Sequence, residues 1–307
     1  MSRYTNVDSL FLEPKTTQYG EHMVMTNVQK PTKLKYFCID TTFAEDCGVG
    51  GALPSAAASR VVHLEDRAND VVSLTVLSAE IPMSFYNISA SLGNNAFTLV
   101  DTAGKAYVVT VVDGTYTAAT LPAAVNTALS VAGANSVTFM VSGSKSRLST
   151  ASTAYTLYLD ALSALREKSP AMKSSLGWLL GFRCAASSIA SWGSLLSPAW
   201  LDLGGPRYLY LVLDDFSNGS PNSMLVPAAG SLLPRNVLSR ITVDTSRYAS
   251  GSVAHAYQND GSLVSDVRRY SSQINFNKVR VQIVNAFGAS IDFNGLPFSF
   301  VLQIEHV

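Results

Sequence analysis

Strict alternation of apolar and polar side chains near the C-terminus constrains this chain more than any other feature. Val279, Val281 and Ile283 alternate with Lys278, Arg280 and Gln282, and further on Phe298, Phe300, Leu302 and Ile304 alternate with Ser299, Gln303 and Glu305. Successive side chains of a strand point to opposite faces, so each segment has one dry face that must lie on a second layer. Asn294-Gly295 predicts a tight turn between the two strands.

The same signal recurs from Leu34 onward as runs of five to eight residues rich in Val, Ile, Tyr and Phe, separated by Gly, Asn and Asp clusters. In 71–81, Val72, Leu74 and Val76 share a face, but the alternation then continues through Leu77, Ala79 and Ile81. A one-residue slip turns every later side chain over, so a β-bulge at Val76-Leu77 is the economical reading, with a strand buried on both faces as the alternative. Residues 97–100 and 107–112 flank Asp101-Thr-Ala-Gly-Lys105 as a hairpin, and 137–141 with 155–160 form a candidate second one. Residues 208–213 are apolar on both faces, as in a central strand, and Asp214-Asp215 ends them.

Helix signals are few. Thr120 before Leu121-Pro122 predicts a capped start, Leu121, Val125, Ala128, Leu129 and Ala132 share one face, and Gly133 stops the segment. A second, shorter piece is expected in 162–168. The expected fold is therefore all-β, an antiparallel β-sandwich or barrel with one or two short helices inserted. Jelly-roll is the expected arrangement within that class, although strand order is not readable from pattern. Residues 1–34 carry Tyr4, Leu10, Phe11, Tyr19, Met23 and Met25 without any strand or helix period and read as an extended arm. Residues 35–307 read as a single sandwich domain with an insertion around 115–185.

Charged residues are only 14% of the chain, against roughly 25% in an average soluble domain, so less of this surface is built for water. The long charge-free stretches, 114–143 and 184–201, are broken by Gly, Pro, Ser and Asn, and no transmembrane segment is expected. Lys plus Arg equals Asp plus Glu at 22 each, which leaves no basic stripe for phosphate backbones, so no specific nucleic-acid partner is expected. Three cysteines (Cys38, Cys47, Cys184) and a start without an apolar signal core point to a reducing compartment.

Motifs with chemistry are weak. Gly104-Lys105 lacks the glycine and the Ser or Thr of a phosphate loop, and Gly48-Val-Gly-Gly51 opens no capped helix. His22, His63, His255 and His306 are scattered, and His63-Leu-Glu65 reads as a strand-end histidine with a salt partner. Asp214-Asp215, with Asp40 or Asp202, could make an oxygen site for a divalent ion, but turn and cap roles are the stronger reading. No G-x-S-x-G elbow occurs, and paired carboxylates of a hydrolase are invisible in one dimension. No catalytic, cofactor-binding or metal residue is assigned, and no enzyme is expected. Leu176-Gly-Trp-Leu-Leu-Gly-Phe-Arg183 is too apolar for an exposed loop. It reads either as a plug on the domain's own core or as a contact with another subunit, where Trp178, Phe182 and Arg183 would be the anchors. Tyr4, Phe11, Tyr19, Met23 and Met25 of the arm are the other candidate interface residues, lying either on their own domain or on a neighbour.

That block, together with Phe37-Cys-Ile-Asp-Thr-Thr42, Ser78-Ala-Glu-Ile-Pro-Met-Ser-Phe-Tyr86, Asp113-Gly-Thr-Tyr116, Gly205-Pro-Arg-Tyr-Leu-Tyr-Leu-Val-Leu-Asp-Asp-Phe216 and Ile291-Asp-Phe-Asn-Gly-Leu-Pro-Phe-Ser-Phe300, resembles the minor capsid and vertex (penton-type) proteins of nucleocytoplasmic large DNA viruses. The resemblance implies a jelly-roll protein of an icosahedral shell, a minor capsid (cement) protein that links or underlies major capsid protein capsomers. Its expected partners are the major capsid protein and other minor capsid proteins, near any internal viral membrane, in a virion assembled in the host cytoplasm. A penton closing the five-fold vertices as a pentamer is the alternative, and a jelly-roll ligand binder or hydrolase is the third. The arm matches nothing in the family, and the family supplies no catalytic residues.

Overall fold

One strand, Arg60–Pro82, organises the whole molecule. The computed structural model describes residues 31–45, 59–160, 170–217, 231–234, 236–245, 247–265 and 267–307. The chain opens with β1 (Lys33–Asp40) and β2 (Arg60–Pro82). There follow β3 (Ala96–Asp101), β4 (Ala106–Thr110), helix α1 (Leu121–Val131), β5 (Val137–Ser142), β6 (Lys145–Thr150), β7 (Tyr155–Tyr158), short helices α2 (Pro170–Ser174) and α3 (Leu176–Leu179), β8 (Ala186–Ile189) and β9 (Ser194–Leu196). It closes with β10 (Tyr208–Asp214), β11 (Val237–Thr242), β12 (Val253–Tyr257), β13 (Leu263–Ser265), β14 (Arg268–Val284) and β15 (Ser299–His306).

At 23 residues β2 is far longer than an ordinary strand, because it serves two sheets in turn. Asp70 adopts a left-handed backbone (φ 52°), which aspartate tolerates better than most side chains, and its N–H donates to Asn275 Oδ1 at 2.7 Å. Before this irregularity β2 pairs chiefly with β14, and after it with β15 and then β12. One sheet therefore runs β1-β15-β2-β12 through the second half of β2, and the other runs β2-β14-β10-β11 through its first half, with β13 added at the edge. Every pairing is antiparallel. A four-stranded and a five-stranded layer that share β2 and curl around one core in this order form a jelly-roll-like fold. In the gap that β14 and β12 leave along β2, Ser265 Oγ accepts from the Val76 N–H at 3.1 Å, closing the roll.

The alternation at the C-terminus is realised as expected. Val279, Val281, Ile283, Phe298, Phe300, Leu302 and Ile304 all lie in the first core. Asn294 and Gly295 both have positive φ (53° and 81°) and make the expected turn, but the strands beside it are not neighbours, because β2 lies between β14 and β15. The expected bulge at Val76-Leu77 is present: Val301 faces Ser78 whereas Leu302 faces Val76. β10 sits centrally, with Leu209, Leu211 and Leu213 in the core and Val212 in a small cluster on the other face.

Among the described residues a second large core gathers side chains from Ile88 to Ile189, between β2 and β10. It is wider than the expected insertion of 115–185. Sheet β4-β3-β7-β8 and sheet β5-β6-β9 enclose it with α1. The β3-β4 hairpin is as read, with Val100 facing Ala106. The second expected hairpin is corrected: β5 pairs with β6 across a Gly143-Ser144 turn, and β7 pairs with β3 and β8. Lys145-Ser-Arg-Leu-Ser-Thr150 holds one apolar residue, Leu148, so its strand character is hidden until β5 and β9 flank it. Helix α1 buries Leu121, Val125, Ala128 and Leu129, about 1.5–3 kcal/mol for each large side chain. Thr120 makes no side-chain cap; its Oγ1 instead accepts from the Thr117 N–H at 3.0 Å. Asn126 of α1 closes the free edge of β5, its Nδ2 donating to the Phe139 carbonyl (2.9 Å) and its Oδ1 accepting from the Phe139 N–H (2.8 Å). The helical piece expected in 162–168 lies outside the described residues.

Candidate functional site

The block at 176–183 is built as a plug. Ser175 caps α3, its Oγ accepting from the Trp178 N–H at 3.4 Å, and Leu176, Leu180 and Phe182 have no exposed surface. Both glycines are required by close approach. A Cβ on Gly177 would meet the Cα of Leu159 at 2.7 Å, and one on Gly181 (φ +93°) would meet the Ala199 carbonyl at 2.4 Å. Phe182 thus offers nothing to a neighbour, which corrects its assignment as an interface residue: the core it fills is its own. Arg183 stacks on the half-buried Trp178, 4.3 Å from the ring, and its Nη1 donates to the carbonyls of Trp178 and Phe182. Burial pulls the Arg183 pKa below the ordinary guanidinium value, against the opposing pull of Asp202. Trp178 also lines a cavity of about 300 Å³ between the two cores, with Tyr208 and Phe287. The cavity's asparagines are already engaged: Asn87 Nδ2 donates to the carbonyls of Tyr116 and Leu203, and Asn94 Nδ2 donates to that of Asn87.

The ionisable candidates are drawn into local structure. Asp214 and Asp215 accept from the N–H groups of Phe216 and Ser217, both at 2.9 Å, and so shape the turn after β10. Asp215 also faces Arg268 at 3.9 Å and receives the hydroxyl of Tyr270, while Arg268 donates to the carbonyls of Leu213 (3.2 Å) and Asn236 (3.1 Å). Burial first, then Asp215, pushes the Tyr270 pKa far up, so this hydroxyl keeps its proton. The pair is almost fully buried, and nothing in the sequence alternation marked Arg268 as an interior residue. Asp40 caps a 3-10 turn through the Thr42 N–H, and Asp202 accepts from the Gly204 N–H. His63 pairs with Glu45 at 2.7 Å, and His255 stands 3.6 Å from Glu80. Among the described residues no three His, Cys, Asp or Glu side chains converge as a metal site.

What remains is surface. The charge-free stretch 184–201 lies along β8, β9 and their loops, with Trp192 and Trp200 exposed to 78% and 70%. Trp192 holds a left-handed backbone (φ 55°), unusual for a bulky residue. Across the β5-β6-β9 sheet, Met140, Arg147 and Leu196 stand side by side, with Met140 and Leu196 exposed. On the other lobe Leu34, Tyr36 and Phe43 are exposed beside β1, around a groove toward the first half of β2. Sequence reading missed these residues, since exposure is not coded by residue type; the absence of charge in 184–201 was the one available signal. Tyr4, Phe11, Tyr19, Met23 and Met25 lie outside the described residues. No helix among the described residues is long and apolar enough to cross a membrane.

No family model matches the sequence, and no curated protein is similar to it. Among solved structures, the chain is similar to the crystal structure of a selenomethionine-labelled mavirus penton protein, at 10% identity and a TM-score of 0.41, over 91% of this chain and 100% of that one.

Proposed function

We propose that this chain is a structural subunit of an icosahedral virus capsid, a minor protein that ties major capsid protein capsomers together without catalysing a reaction. The observation that carries the reading is the charge-free stretch 184–201, with Trp192, Leu196 and Trp200 exposed and Met140 exposed on the far side of Arg147 in the same sheet. Tryptophan is among the side chains most enriched at the energetic centres of protein interfaces, and two of them stand exposed in one short charge-free stretch. Two largely exposed tryptophans give up on the order of 250 Å² when covered, a gross gain of about 6 kcal/mol. Association itself costs about 4–15 kcal/mol, so one such contact is marginal. Contacts repeated by symmetry in a closed shell overcome that deficit, because each later contact forms at high effective concentration. The resemblance of the six quoted stretches to minor capsid and vertex proteins supports the same reading, and the jelly-roll is compatible with it. In this reading 83–207 forms an insertion lobe on a single jelly-roll, and the chain resides in the virion shell after assembly in the host cytoplasm.

The test is a Trp192→Ser, Trp200→Ser double variant, assayed for folding by circular dichroism and for copy number in purified particles. The expected result is an unchanged spectrum with at least a tenfold loss of incorporation. Wild-type incorporation, with 184–201 still open to amide exchange in the particle, would overturn the reading. Five-membered rings formed by the purified wild-type protein would instead move it from cement protein to vertex protein.

A further inference from the structure

We infer that the groove between the outer edge of β1 and the first half of β2 receives an added strand supplied by residues 22–28 of a second copy of this chain. β1 is the outer strand of its sheet: β15 pairs with one side of it, and among the described residues no strand pairs with the other. The first half of β2 pairs with β14. On its opposite side, toward β1, the described ladder consists of the Ala44–Val62 bridge and the Glu45 N–H donating to the Val61 carbonyl, ending before His63. Between these edges runs a groove of about 520 Å³, walled by Tyr36, Phe37, Phe43, Val62 and Leu64. Lys35 crosses it to Asp66 at 3.0 Å. Paired strands stand roughly 4.8 Å apart, so one extended segment in the groove can bond to the outer edge of β1. An exposed edge strand with Leu34, Tyr36 and Cys38 pointing outward invites aggregation unless something covers it.

The chain itself carries a segment suited to the place. His22-Met-Val-Met-Thr-Asn-Val28 has no Lys, Arg, Asp or Glu and is rich in β-prone residues, in an otherwise charged stretch that includes Glu13, Lys15, Glu21 and Lys30. Pro31 and Thr32 make neither turn nor bend before β1, and the Thr32 hydroxyl donates to Glu305 of β15 at 2.6 Å, on the side away from the groove. Residues 31 and 32 therefore continue the line of β1. Thirty residues reach about 100 Å when extended, ample to span to an adjoining molecule. A head-to-tail exchange of this kind builds rings or chains of copies. The inference extends the capsid reading by naming the segment that joins copies, and its test uses purified protein, so either can fail alone.

Cys38 on β1 is exposed and reports the outcome. In the full chain carrying Cys47→Ser and Cys184→Ser, each of Val24→Cys, Met25→Cys and Thr26→Cys is oxidised with diamide, separated under non-reducing denaturing conditions and mapped by mass spectrometry. The expected product is a ladder of covalent dimers and larger species joined through Cys38, reduced at least tenfold when Met23→Pro and Asn27→Pro are added. A Cys38 disulfide within one chain, or no disulfide at any of the three positions, overturns the inference. Particle incorporation of the same variants is scored separately and bears only on the capsid reading.

Discussion

The two lobes are held together by different chemistry. In the jelly-roll, ion pairs lace the surface and interior: Lys35–Asp66, His63–Glu45, Arg280–Asp214 and the buried Arg268–Asp215. In the other lobe one exposed pair, Arg207–Asp202, is joined by neutral amides and hydroxyls, with Asn126 holding β5, Asn87 tying the lobe's two ends together, and Ser197 Oγ donating to the Ala199 carbonyl at 2.8 Å. The 184–201 stretch holds no charged side chain, so a partner can cover it without stripping water from charges, which is the costly part of burying a surface. The exposed Trp192 and Trp200 both lie in that stretch.

Separate cores imply that the lobes can be perturbed one at a time, and substitutions test this in order of effect. Arg268→Ala removes one partner of a buried pair, leaving the buried Asp215 without its cation and the carbonyls of Leu213 and Asn236 without the guanidinium, so the roll should lose about 3–5 kcal/mol in chemical denaturation. Amide exchange should then quicken in β10 and β14 and stay unchanged in β3 and β7. Gly177→Ala forces a methyl into Leu159 and should cost about 1–3 kcal/mol, with the opposite exchange pattern. If both variants loosen both lobes equally, the molecule unfolds as one unit and the comparison fails.

The smallest effect is the pH dependence that Glu305 brings to the roll. Hydrogen bonds from Thr32 first and then Ser73 hold the Glu305 pKa below its usual value. A carboxylate with a lowered folded pKa adds stability above its unfolded value, about 4.3, and that stability disappears as pH falls through the folded value. Wild type should therefore lose more stability than Glu305→Gln on acidification below about pH 4. Parallel melting curves of the two proteins between pH 5 and 2 would reveal a flat difference if the hydroxyl bonds do not form.

Legibility followed burial geometry. Strands with one wet and one dry face, such as β14 and β15, declare themselves by period, and even the bulge at Leu77 was readable because a slip leaves its mark on the pattern. β6 was not, because a strand with one apolar residue has no period to show. The hairpin assigned to 137–141 and 155–160 failed for the same reason: the true partner of β5 was invisible. Trp178, Phe182 and Arg183 were singled out together from one block, yet they divide by depth: Phe182 is interior, and Arg183 covers Trp178.

The sequence by itself determined the all-β class, the dry faces of the long strands, helix α1 and the shortage of charge, since each rests on local spacing or on composition. Only the tertiary structure decided that β2 is shared by two sheets, that Arg268 is buried against Asp215, and that Trp192 and Trp200 face outward. Those outcomes depend on which distant segments meet, and neither strand order nor exposure is recorded in the neighbours of a residue along the chain.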